Sequence, residues 1–164
     1  TYIGRWRRKG EKERASPHNI NVLTLIDRDT NRATSTVLQN ITSVTVGEVV
    51  AATVAKEARL MTDQSSVYGP IGRTLASHES VNHAKEEYGR GDAYTTTAEG
   101  YFSVFKRGMK GTYQHCREKH LHRYLAEFDF RYNHRVANGF SDLARMDVAI
   151  KGAKGKRIYY NQPM

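Results

Sequence analysis

Two apolar stripes at helical spacing, close together in the second half of the chain, restrict the fold more than any other feature of the sequence. Ala98, Phe102, Phe105 and Met109 recur at i, i+4, i+7 and i+11; Leu121, Tyr124, Leu125, Phe128 and Tyr132 make a second stripe. A stripe of this kind buries one side of a helix and leaves the other in water. The spacing predicts helices over 97–110 and 117–135, with Gly111 ending the first. Two such helices need an apolar surface to cover, and the first half of the chain supplies strands. INVLTLI at 20–26 alternates and is rich in β-branched residues, DRDTNR at 27–32 has turn chemistry, and 33–38 reads as a return strand, so a hairpin is expected. Valines near helical spacing predict a helix over 46–58, capped by Thr42, Ser43 or Thr45. Residues 59–62 read as a short strand running into Asp63, a loop follows at 69–72, 77–83 read as another strand, and GRGD at 89–92 as a turn. Strands 20–26, 33–38 and 59–62 are expected in one sheet. The result is an α/β domain, a mixed sheet flanked by helices. With no internal repeat or low-complexity linker, 1–164 reads as a single domain.

Charge narrows the partners. Lys and Arg number 26 against 17 Asp and Glu, a formal charge of +9. The basic residues cluster. Arg5, Arg7, Arg8, Lys9, Lys12 and Arg14 open the chain around Trp6; Lys106, Arg107, Lys110, Arg117, Lys119, Arg123, Arg131 and Arg135 follow the helical stripes; Lys151, Lys154, Lys156 and Arg157 form the last block. Blocks of cations interleaved with aromatics fit nucleic acid better than a general solubility charge. One cysteine, Cys116, excludes an intramolecular disulfide framework and fits a reducing cytosol. No apolar run approaches the ~20 residues that span a bilayer, so a membrane protein is not expected.

Three features could carry chemistry. Asp63 follows a strand, where acids project toward ligands in open α/β sheets; the same residue could simply cap the next turn. Glu99 opens a helix whose polar stripe continues as Ser103, Lys106 and Lys110. An acid with cations below it suits a metal held beside a phosphate backbone, and equally suits a solvated helix face. Thr96 stands three residues before Glu99, the spacing of a capping box. His115, Cys116, His120 and His122 lack a second ligand pair at zinc-site spacing. Asp27 and Asp29 are explained by turn chemistry, and Asp142 and Asp147 read as surface groups on a C-terminal helix.

The 81–135 block resembles the catalytic block of bacterial insertion-sequence transposases of the DDE superfamily, the ISXO-like group. The resemblance rests on Glu99-Gly100-Tyr101-Phe102-Ser103, on Lys106-Arg107-Gly108, and on the stretch from His120 to Arg135. It extends to the Thr1-Tyr2-Ile3-Gly4 opening, to Thr62-Asp63 and to Gly155-Lys156-Arg157-Ile158-Tyr159-Tyr160. It implies an RNase H-like (ribonuclease H/integrase-type) fold and two-metal strand cleavage and transfer on double-stranded DNA. Two Mg²⁺ or Mn²⁺ ions would be held by acids, with Asp63 as the second and Glu99 as the third. Lys106, with Arg107, Lys110 and Arg131, would contact DNA. A homodimer or higher oligomer on DNA is expected, working in the bacterial cytoplasm at the nucleoid. Family members carry the first acid in Asp-Glu-Thr-Tyr-Ile-Gly; the sequence starts at Thr1, so a domain truncated just before that acid is expected. Where they carry His-Thr-Asn-Thr, this chain has Tyr94-Thr95-Thr96-Thr97, which makes Thr96 the alternative third-ligand position. The rival readings are a catalytically inactive DNA-binding remnant and an RNase H-like nuclease.

Overall fold

A computed structural model describes residues 2–3, 20–82, 89–90, 93–114, 116 and 118–156. The first basic block with Trp6, residues 91–92 of the GRGD turn, and His115, Arg117 and Arg157 lie outside the described residues. The expected hairpin is present: β2 (Ile20–Asp27) and β3 (Arg32–Leu38) pair antiparallel in a register running from Asn21 opposite Leu38 to Asp27 opposite Arg32. The turn between them is closed by Asp27, whose carboxylate accepts the backbone N–H of Asp29 (2.9 Å) and the Thr30 hydroxyl (2.6 Å). Those bonds, the Thr30 hydroxyl foremost, hold the Asp27 carboxyl below its ordinary value. A short strand β1 (Tyr2–Ile3) pairs antiparallel with β2, giving the order β1-β2-β3.

Alternation along the hairpin divides its side chains between two cores. Ile20, Val22 and Ala33 pack with Tyr101, Phe105, Met109, Leu121, Leu125 and Phe128. These belong to α3 (Thr96–Gly108), the π-helical turn Met109–Tyr113 that continues it, and α4 (Glu118–Asn133). Leu38, with Leu23 and Leu25 beside it, packs with Val46, Val50 and Ile71 from α1 (Ser43–Thr53) and α2 (Tyr68–Gly72). The hairpin is thus the middle layer between two groups of helices.

Side chains of α4 also reach the backbone of β3. Asp129 accepts the Ser35 N–H (2.8 Å) and hydroxyl (2.8 Å), while Asn133 accepts the Ala33 N–H (2.6 Å) and donates to the Ala33 carbonyl (2.9 Å). Four helical residues rise about 6 Å and two strand residues about 6.8 Å, so the two repeats stay in step. Tyr101 of α3 joins this network, its hydroxyl 2.5 Å from Asp129 and 3.0 Å from Ser35. Burial and the Asp129 hydrogen bond push the Tyr101 phenol well above its ordinary value of 10.0.

Several expectations are corrected. The loop expected at 69–72 is helical, within α2 (Tyr68–Gly72). The helix expected over 46–58 is α1, Ser43–Thr53: Thr42 caps it reciprocally with Thr45, its hydroxyl accepting the Thr45 N–H (3.1 Å), and the chain turns extended at Val54. Gly111 does not end the first long helix. The chain continues through the π turn to Tyr113, and Gln114, at a φ of 53°, makes the break. Finally, β4 (Arg59–Asp63) is not in the hairpin sheet among the described residues; it pairs parallel with β5 (Ser77–Val81) in a second sheet. The described β1 spans two residues, and its pairing is with β2, so no described strand bridges β4 to the hairpin. A third pair, β6 (Gly89–Arg90) with β7 (Ala93–Tyr94), makes GRGD part strand.

After a 3₁₀ turn at Val136–Asn138, α5 (Asp142–Ala153) closes the described chain. Asp142 and Asp147 are surface groups, paired with Arg145 (3.0 Å) and Lys151 (2.6 Å). No described helix is long and apolar enough to cross a membrane.

Candidate nucleic-acid and metal site

Asp63 is the last residue of β4 and is exposed. The strand that presents it is anchored one residue earlier: Thr62 is buried, its hydroxyl 2.8 Å from His78 Nε2 on β5. The His78 ring lies so close to Gly72 of α2 that a Cβ there would overlap it. Asp63 accepts the Ser65 N–H (3.1 Å), the local turn that the residue type also allows, and its charge adds to the burial that raises the Tyr68 phenol.

Glu99 lies in the first turn of α3 and is exposed. The capping box expected between Thr96 and Glu99 is not what forms. Thr95 is the N-cap, and its hydroxyl donates to Glu99 Oε1 (2.8 Å) at i, i+4; Thr96 is the first helical residue, exposed. The helix starts one residue earlier than the sequence pattern suggests because β7 delivers the chain directly into it, with only Thr95 between.

β7 also connects the two acids' surroundings, for it packs beside both β4 and β5. Arg28, from the hairpin turn, spans the same junction. Its guanidinium sits 3.9 Å from the Tyr94 ring centroid and donates to the Met61 sulfur on β4. Nothing in the sequence marks Arg28; Met61 and Tyr94 come from two separate strands, both far from it in sequence.

Below Glu99, Ser103, Lys106 and Lys110 are all exposed, so the polar stripe read from spacing is a real face. Lys106, Arg107 and Lys110 have no ion-pair or hydrogen-bond partner among the described residues, whereas Arg131 pairs with Glu127 (2.6 Å). Gly108 lets α4 approach: a Cβ there would overlap the Phe128 ring. That contact gives the Lys106-Arg107-Gly108 motif a packing role alongside its charge. Cys116 is half-buried, and burial raises its thiol, which makes it a poor nucleophile.

The model of the ISXO2-like transposase domain matches residues 1–133. The chain belongs to the ISXO2-like transposase domain family. No curated protein matches it. The ISXO2-like region includes both acids, the α3 face and all of α4, and stops before α5. Asp63 and Glu99 offer the hard oxygen donors that Mg²⁺ or Mn²⁺ takes. Among the described residues, however, no three His, Cys, Asp or Glu side chains gather as a metal-holding group. The described part of this ISXO2-like domain therefore supplies two candidate donors, Asp63 and Glu99, of the larger set that a two-ion centre takes.

Proposed function

We propose that this chain is the catalytic domain of an insertion-sequence transposase, one RNase H-like domain over 1–164 acting on double-stranded DNA. The observation that carries the reading is the outer face of α3. An acid at the helix start, Glu99, stands above the cations Lys106 and Lys110, whose charge no described protein group engages. The helix follows directly on a strand packed beside β4, which ends in Asp63. Asp63 and Glu99 are the metal-binding catalytic acids, and Lys106, Arg107, Lys110 and Arg131 the DNA contacts. Divalent ions held there would supply charge neutralisation at the attacking and leaving oxygens of a phosphodiester. Lysines beside them hold the backbone in place by displacing its counterions. The working form is a homodimer or higher oligomer on DNA, in the cytoplasm at the nucleoid.

The test separates binding from cleavage. Log affinity for duplex DNA falls linearly with log salt, at about −0.9 per neutralised phosphate, and Lys106→Glu with Lys110→Glu lowers that slope by about two contacts. Affinity indifferent to salt sinks the DNA reading. Cleavage of supercoiled plasmid with Mn²⁺ is expected from a chain carrying Asp-Glu before Thr1; Asp63→Asn and Glu99→Gln each abolish it and Thr96→Ala does not. One observation favours the inactive remnant instead: position 96 offers only an exposed hydroxyl, where the resemblance to the ISXO-like group implies asparagine. If the extended chain cleaves only as Thr96→Asn, the third ligand is at 96 and this copy is inactive. Cleavage without joining of a 3′ end to target DNA identifies a nuclease.

A further inference from the structure

The π turn leaves an open groove between α3 and α4 of about 370 Å³. Arg107 stands on one side and Arg131 on the other; Val104, Gly111, Tyr113 and Phe128 line the space between, and no carboxylate does. π turns of this kind frequently mark functional positions. The turn carries Tyr113 over to α4, where its ring meets Tyr124 (4.8 Å between centroids) and Phe128 (6.2 Å). Glu127, behind the groove, accepts the Tyr113 hydroxyl (2.6 Å) and the Arg131 guanidinium (2.6 Å), fixing both side chains. One bond leaves Arg131 with most of its five N–H donors, and Arg107 has no partner among the described residues.

Two guanidinia beside an apolar, aromatic-edged slot match a ligand that is anionic at one end and a flat ring at the other. The geometry points to a seat for a single unstacked nucleotide of the DNA substrate, its phosphate between Arg107 and Arg131 and its base against Tyr113 and Phe128. The inference rests on the DNA reading above and adds which part of the DNA the α3–α4 groove takes. Duplex tracking needs only the Lys106–Lys110 face; an apolar slot beside it is useful only to a base that has left the stack. Arg107 follows Glu99 by eight residues, about 12 Å along α3. The seat therefore lies about three to four base steps, at 3.4 Å each, from the candidate metal acid.

The probe is a fluorescein-labelled duplex with a single-stranded 3′ overhang carrying 5-iododeoxyuridine at each overhang position in turn. Ultraviolet crosslinking followed by peptide mapping is expected to join one or two positions to Tyr113. Gly111→Leu fills the groove, and a Cβ at 111 meets nothing within 4 Å, so the fold should tolerate it. This variant should cut the Tyr113 crosslink about tenfold or more while duplex affinity by anisotropy stays within about threefold. Val104→Met, at an exposed position on the same wall, repeats the test should Gly111→Leu alter the circular dichroism. Salt-dependent binding with no Tyr113 crosslink, or with a crosslink that neither variant diminishes, overturns the nucleotide seat and leaves the DNA reading intact. Absence of any salt-dependent binding overturns both.

Discussion

The hairpin is covered unequally on its two sides. Toward α3 and α4 it meets a core built on aromatic rings, with Phe105 and Leu121 wholly buried and Phe105 edge-on to Phe128 at 4.9 Å. Toward α1 and α2 the core is four smaller side chains, Leu38, Val46, Val50 and Ile71, bordered by partly exposed neighbours. Buried area scales with stabilisation, so the first side is the firmer. The two candidate acids are divided between these regions: Glu99 starts a helix of the firm side, and Asp63 ends a strand whose Leu60 packs on the light one. Any metal chemistry that needs both acids therefore depends on the lighter region holding its place.

The largest expected effect lies in the firm core. Phe105→Ala should cost about 3–5 kcal/mol in urea unfolding, and Ile71→Ala should fall near the low end of about 2–5 because its partly exposed surroundings can close in. Equal losses would break the comparison. Next comes the polar network by which α3 and α4 of the firm side hold β3. Asp129→Ala leaves Ser35 and Tyr101 without their charged acceptor, at about 1.5–3 kcal/mol. Tyr101 adds a pH dependence. Its folded pKa is raised above 10.0, so the folded state holds a proton that the unfolded state releases. This contribution is complete below about pH 10 and is lost as pH rises from there toward the raised value. Tyr101→Phe should flatten that alkaline limb in denaturant titrations between pH 9 and 11.

A matched pair of glycines sharpens the contrast. Gly108→Ala drives a methyl into the buried Phe128 ring, and Gly72→Ala does the same to the half-buried His78. Overpacking costs about 1–3 kcal/mol; the methyl at 108 meets the far end of the Phe128 ring, whereas the methyl at 72 meets the His78 Cβ, which no rotation of the ring moves, so thermal melts should put Gly72→Ala in the upper part of that range and Gly108→Ala in the lower. The smallest effect is at the rim of the light region. Arg59→Ala removes an exposed pair with Glu79 (2.8 Å) and should change stability by under about 1 kcal/mol.

The same inequality decided what could be read from the sequence. Phe105, Leu121, Leu125 and Phe128 repeat at helical spacing, so α3 and α4 were plain, as was the alternating hairpin. The α1 boundary was less so: Val46 and Val50 carry the helix, but the reciprocal Thr42–Thr45 cap and the break at Val54 are local hydrogen-bond choices that spacing does not show. The π turn escaped because Gly111 satisfies a stop signal that the chain does not use. At the site, the positions of Asp63 and Glu99 and the exposed α3 face were legible. Thr95 in place of Thr96 as the cap partner was not, and neither was Arg28, because its contacts join residues far apart in sequence. Asp129 and Asn133 look like ordinary polar residues of an amphipathic helix; only the fold shows that they hold a strand.

That last arrangement settles how the sheet can meet other chains. An uncovered outer strand offers unpaired backbone groups to any extended segment that passes, the usual route to misassembly. On β3 the groups at Ala33 and Ser35 are already bonded to α4, at 2.6 and 2.8 Å. Copies of this protein crowded together, or a partner presenting a strand, find that margin blocked at those two residues. At Ala33 and Ser35, α4 acts as a selvedge that keeps the weave from running on.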